Sequence, residues 1–141
     1  MIEIVEFKPE HFAEIRLQPG QEYLRNFLSF ENGSALARNP SYTGLEDGVP
    51  VACAGYIVNW PGRATAWSFL SEMGPRSFVQ VHKAIKKVLD GCYIKRMEMT
   101  VLCDHEEGHR WAKLLGFELE AERMEAYDPE GNDHALYARV L

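Results

Sequence analysis

Apolar and polar residues alternate from Ile2 to Phe7, with Ile2, Ile4 and Glu6 on one face and Val5 and Phe7 on the other, which predicts an opening strand. Lys8-Pro9-Glu10 then starts a short helix that presents Phe12 and Ile15 inward, with proline where a first turn tolerates it. Pro19-Gly20 breaks the chain. From Gln21, the residues Tyr23, Leu24, Phe27 and Leu28 fall at helical spacing and predict a second helix. The stretch from Glu31 to Pro40 holds Asn32-Gly33 and Asn39-Pro40 and reads as a loop. A meander follows: Tyr42 to Leu45, a hairpin at Glu46-Asp47-Gly48, Val51 to Trp60, a turn at Pro61-Gly62, and Ala64 to Ser71. Gly55, in mid-strand, marks a bulge or a close approach of another backbone.

Pro75 opens the longest helix. Phe78, Val81, His82, Ile85, Val88 and Leu89 form its buried face, Lys83, Lys86 and Lys87 face water, and Asp90-Gly91 ends it. Met97, Met99, Val101 and Cys103 alternate as a strand that leads into a helix from Asp104 to Leu115, with Trp111, Leu114 and Leu115 packing inward. Gly116 closes that helix, and alternating runs from Phe117 and from His134 form a final hairpin. The order β-α-α-β-β-β-α-β-α-β-β predicts one α/β domain of the α+β kind over residues 1–141. Its mixed central sheet should have about six to seven strands flanked by about four helices.

Composition narrows the function. A chain of 141 residues can bury roughly two-thirds of its unfolded surface. Net charge is −6 with no basic run, which argues against nucleic-acid partners. No apolar run reaches membrane-spanning length, so no membrane partner is expected. Cys53, Cys92 and Cys103 match no metal spacing; Cys53 and Cys103 sit in apolar strand patterns as small hydrophobes, in keeping with a reducing, cytoplasmic setting. Acidic residues gather late, at Glu118, Glu120, Glu122, Glu125, Asp128, Glu130 and Asp133. They read as a solvated strand face, or as a rim that attracts a cationic amine. His105 and His109 have i, i+4 spacing but lack the further ligands of a zinc site, so no metal is expected.

The element order, the meander before a long helix and the ending Leu114-Leu115-Gly116-Phe117 together resemble the GNAT (Gcn5-related) N-acetyltransferase superfamily over nearly the whole chain. The resemblance implies acetyl-CoA as co-substrate and direct acetyl transfer to a primary amine of a small molecule or protein. In that family backbone amides at the end of the fourth strand hold the pantetheine arm and the next helix start holds the pyrophosphate. Carried over, this implicates Phe69, Leu70, Ser71, Gly74, Arg76 and Ser77, with Trp111 as a wall of the channel, and with the amides near Leu70 and Ser71 polarising the carbonyl. Glu72 and Glu98 are the candidate bases, and His105 or His109 the candidate to replace a missing acid.

Two positions depart from the family pattern. The pyrophosphate loop lacks its second glycine and carries Pro75, and Ala112 stands where the family has a tyrosine that protonates the thiolate. The flavour of the last helix looks like GNAT-like proteins encoded by bacteriophages. That resemblance sets an alternative beside the enzyme: a catalytically degenerate GNAT-fold structural or protein-binding protein, virion-associated, whose partner is a virion component or a second copy of the chain.

Overall fold

The structure, a computed structural model, describes every residue from Met1 to Leu141. Its strands are β1 (Ile2–Glu6), β2 (Ser41–Glu46), β3 (Val49–Trp60), β4 (Arg63–Leu70), β5 (Arg96–Leu102), β6 (Glu118–Met124) and β7 (His134–Val140). They form one mixed seven-stranded sheet in the order β1-β2-β3-β4-β5-β7-β6. The helices are α1 (His11–Glu14), α2 (Phe30–Leu36), α3 (Pro75–Asp90) and α4 (Glu106–Leu114), with a 3-10 helix over Pro19–Phe27. No helix is long and apolar enough to cross a membrane.

Two local readings are corrected. Residues 31–40, expected as a loop, contribute most of α2, which Ser29 caps by accepting the Asn32 N–H at 3.1 Å. The helix expected from Gln21 is a 3-10 helix that starts at Pro19, where the Gln21 N–H closes a tight turn on the Gln18 carbonyl at 2.9 Å.

Two compact units can be distinguished, Met1–Ile57 with Ala66–Gly91, and Val58–Thr65 with Cys92–Leu141. In the first, β1 runs antiparallel to β2 from Ile2↔Glu46 to Glu6↔Tyr42, and β2 antiparallel to β3 from Ser41↔Gly55 to Glu46↔Val49. Phe7, Phe12, Ile15, Leu36, Cys53 and Phe69 form its core, with Leu17, Leu24, Leu28 and Trp67 packed against it. Phe12 meets Phe69 edge-on at 5.1 Å, and Phe27 stacks on Phe69 at 5.6 Å. Burial pushes the Cys53 thiol up to about 12, against a hydrogen bond from Thr43 that lowers it, so Cys53 is an inert core residue. In α3, Val81 and Leu89 are buried, and His82 is half-buried at the margin of the face.

In the second unit the start of β4 pairs parallel with β5 over Arg63↔Arg96, Ala64↔Met97 and Thr65↔Glu98. Antiparallel β5–β7 pairing runs from Arg96↔Val140 to Leu102↔His134. Gly108, Trp111, Ala112 and Leu115 line the buried face of α4 at i, i+3, i+4 and i+7. Leu114, expected to pack beside Trp111, is instead 65% exposed, because that spacing turns it to the opposite side. Gly116 ends the helix at φ 94°, a left-handed conformation in which a side chain would be strained.

The loop joining β6 to β7 is organised by Asp128. Its carboxylate accepts from His134 Nε2, the backbone N–H of Glu130 and Asn132, and the Asn132 side-chain amide, at 2.9–3.3 Å. Burial would raise its pKa, but these hydrogen bonds together outweigh burial and hold it at about 2, below the ordinary 3.8. A depressed carboxylate contributes stability above its unfolded pKa and loses it as pH falls through the folded one. The stability difference between wild type and Asp128→Asn should therefore shrink as pH falls from about 4 to about 2. Thermal unfolding across that range checks this, and a difference independent of pH would overturn it.

Candidate functional site

The first unit holds the second half of β4, the turn after it and the start of α3. In a strand, the N–H and C=O of one residue point to one edge and those of the next residue to the other. Ser71 N–H donates to the Val51 carbonyl of β3 at 2.8 Å, so Leu70, and with it Ser68, present their backbone groups to the edge away from β3. That edge is covered by the chain itself. Leu70 N–H donates to Gln21 Oε1 at 2.7 Å, Gln21 Nε2 donates to the Ser68 carbonyl at 2.8 Å, and Gln18 N–H donates to the Leu70 carbonyl at 2.8 Å. The turn Gln18-Pro19-Gly20-Gln21 thus stands beside β4 as a short extra strand would.

The residues assigned from the sequence fall into distinct environments. Phe69 and Leu70 are buried, 4% and 3% exposed, so only their backbone can face a ligand. Of the two amides expected to polarise a carbonyl, that of Ser71 is committed to β3 and that of Leu70 to Gln21. Gly74 precedes α3 with extended backbone, and a Cβ there would meet nothing within 4 Å, which leaves the approach to the helix start open. Pro75 contributes no N–H at the first helical position. Arg76 and Glu72 are exposed. The Ser77 hydroxyl donates a short hydrogen bond to the Glu46 carboxylate of β2, a contact without any signal in the local sequence.

Glu98, His105 and Trp111 belong to the second unit. Arg63 grips Glu98 through Nε at 3.0 Å and Nη2 at 2.6 Å, and Arg96 adds Nε at 2.5 Å. Hydrogen bonding from Arg63, and then from Arg96, lowers the Glu98 pKa despite partial burial. A carboxylate held by two guanidinium groups is a poor base, and Glu98 acts as the centre of an ion-pair network that Arg96 extends to Glu120. Trp111 is 8% exposed and packs as a core residue of α4. Ala112 is fully buried, so the position that carries the family tyrosine points into the core here.

His105 is half-buried at the start of α4, with its ring against Gly108, where a Cβ would come 2.7 Å from Nδ1. Desolvation lowers its pKa, which keeps the imidazole neutral near pH 7. His109 is engaged on both sides: Nε2 donates to the Cys103 carbonyl at 2.9 Å, and Nδ1 accepts from the Tyr137 hydroxyl at 2.7 Å. A carbonyl can only accept, which fixes the tautomer and makes His109 a tie between β5, α4 and β7. Of the acidic residues expected as a solvated face, Glu120 pairs with Arg96 and Asp133 with Arg123, while Glu118, Glu122 and Glu125 are exposed.

This arrangement of sheet and helices is the fold of the GNAT acetyltransferases. The chain is similar to Ard1 from Thermoplasma volcanium, with a TM-score of 0.79 and 18% identity over 99% of this chain and 97% of that one. It is similar to an acetyltransferase of the GNAT family from Streptococcus pneumoniae, with a TM-score of 0.70, 11% identity and 100% of both chains covered. A third similar structure is yncA from Salmonella typhimurium, solved with its cofactor acetyl-CoA; the TM-score is 0.68 and the identity 13%, over 99% of this chain and 94% of that one. At such identities the likeness is one of fold. No family model matches the sequence, and no curated protein matches it.

Proposed function

We propose that the chain is an acetyl-CoA-dependent N-acetyltransferase that passes the acetyl group directly to a primary amine of a small molecule or protein. The observation that carries this reading is the β4 edge. Ser68 C=O, Leu70 N–H and Leu70 C=O form a row of acceptor, donor and acceptor, and the Gln21 amide seated on two of them demonstrates that the row fits an amide. A pantetheine arm carries two amides, and the same backbone groups would hold one of them. Gly74 and Arg76 would receive the pyrophosphate, Gly74 by its open approach and Arg76 by charge. When bound, acetyl-CoA supplies an acyl group activated as a thioester.

The roles left to the side chains follow from their environments. Glu72 is exposed beside this row and serves to take a proton from the amine, directly or through water. Desolvation keeps the His105 imidazole neutral, so it holds no ready proton to give and does not replace the missing acid. Glu98 has no such role, for the reasons of its ion pairs. A cytoplasmic location and a small-molecule or protein acceptor belong to the proposal.

A second reading is favoured by one observation, the full burial of Ala112, which removes the family's acid without leaving room to restore it. On that reading the chain is a GNAT-fold structural or protein-binding protein of the phage type, associated with a virion component or with a second copy of itself. Calorimetric titration with acetyl-CoA and with CoA separates the two. The enzyme reading predicts micromolar binding, weakened about tenfold by Arg76→Ala, and acetyl transfer to at least one member of an amine panel. Absence of heat with both ligands supports the second reading.

A further inference from the structure

The acyl-CoA edge of β4 is already filled by an amide of the chain's own. The Gln21 amide puts both its ends on that edge, Oε1 accepting from Leu70 N–H at 2.7 Å and Nε2 donating to Ser68 C=O at 2.8 Å. Gln18 completes the cover: its N–H takes the Leu70 carbonyl, and its side-chain amide lies 3.4 Å from Gln21 Oε1. Leu70 N–H has a single hydrogen to give, and the turn stands in front of the Ser68 and Leu70 carbonyls, so an incoming amide must displace the turn. We infer that Gln21 is a built-in competitor for the pantetheine arm, and that ligand binding requires the segment Gln18–Phe27 to swing off β4.

The segment is suited to such a movement. It is a 3-10 helix of nine residues, beyond the usual length of that poorly bonded form, and none of its residues is fully buried. Its hold on the core includes half-buried Tyr23 and Leu24 and also Phe27, which is 39% exposed as it stacks on Phe69. Pro19 limits the turn to a narrow set of backbone angles, so that Gln18 and Gln21 engage or release together. Trp67, one residue before Ser68, packs tilted on Phe69, the same ring on which Phe27 of the segment stacks.

The consequence is a two-state protein whose apparent affinity for acetyl-CoA is reduced by the fraction that is closed. This inference rests on the acetyl-CoA reading above, and the experiment separates the two. Acetyl-CoA is titrated calorimetrically into wild type, Gln21→Ala and Gln21→Glu, and hydrogen exchange of the Leu70 amide is followed in each. Gln21→Ala should bind on the order of tenfold more tightly than wild type. Without ligand its Leu70 amide should exchange faster, and acetyl-CoA should restore the protection. Gln21→Glu, which keeps an acceptor for Leu70 but cannot donate to Ser68, should also bind more tightly than wild type, and it carries the test if the alanine variant is unstable. Equal affinity in all three proteins overturns the inference and leaves the acetyl-CoA reading standing. No binding to any of them overturns that reading, and the proposed competitor with it.

Discussion

Phe69→Ala is expected to cost about 3–5 kcal/mol of folding stability, the range for deleting a large aromatic side chain from a packed interior. Phe69 is 4% exposed and sits where three other aromatic rings converge on it: Phe12 edge-on, Phe27 stacked, and Trp67 tilted at 5.6 Å from it. Removing it leaves a cavity whose walls come from β4, α1 and the 3-10 helix, elements anchored elsewhere that cannot all collapse inward. Urea unfolding measures the loss. Phe69→Leu, which keeps most of the volume, should recover much of it. A loss below about 1 kcal/mol for the alanine variant would mean that the site relaxes freely, contrary to the packing described.

Gly55→Ala should destabilise the protein by about 1–3 kcal/mol, the cost of overpacking a site that cannot yield. A Cβ at this position would come 2.5 Å from the Pro40 carbonyl oxygen and 2.9 Å from Ser41 Cα, both backbone atoms. The carbonyl cannot retreat without stretching its 3.1 Å bond from Tyr56 N–H, and Ser41 is the register partner of Gly55. Gly44→Ala is the matched control on β2, because its Cβ would meet side-chain atoms alone, Ile2 at 3.1 Å, Ala52 Cβ at 3.7 Å and Ile4 at 3.8 Å. Unfolding midpoints of the two variants should differ clearly, with Gly55→Ala the lower. Equal midpoints would show that β3 can shift away from Pro40.

Several elements were legible because their signals are local. The α3 helix declares itself through Pro75 at its start, Gly91 after its end and apolar residues at helical spacing between them. The Asp47-Gly48 hairpin and the Gly116 helix end depend on residues that tolerate positive φ, and both appear at those positions. Gly55 showed itself as a glycine in a strand, and the close approach that it permits is to Pro40 and Ser41. The α2 helix was concealed by Asn32-Gly33, a turn signal that tertiary packing overrides. Gly33 lies against α1, where a Cβ would meet Pro9 Cα at 3.0 Å and the Phe12 ring at 3.2 Å. Glycine is there for the contact between helices, and sequence spacing alone cannot distinguish that use from a turn.

The candidate site divides in the same way. Sequence by itself determined the seven strands, the long helix α3 and the helix α4, and with them the fold, while it missed α2 between β1 and β2. Periodicity and punctuation are properties of neighbouring residues, so they can be read without coordinates. Tertiary structure alone decided which groups of the site are engaged. Gln21 reaches residues 47 and 49 positions away, Arg63 reaches Glu98 across 35, and Ser77 reaches Glu46 across 31. A hydrogen bond between residues so far apart leaves no periodic trace, because it depends on which strand edge the fold places beside which side chain.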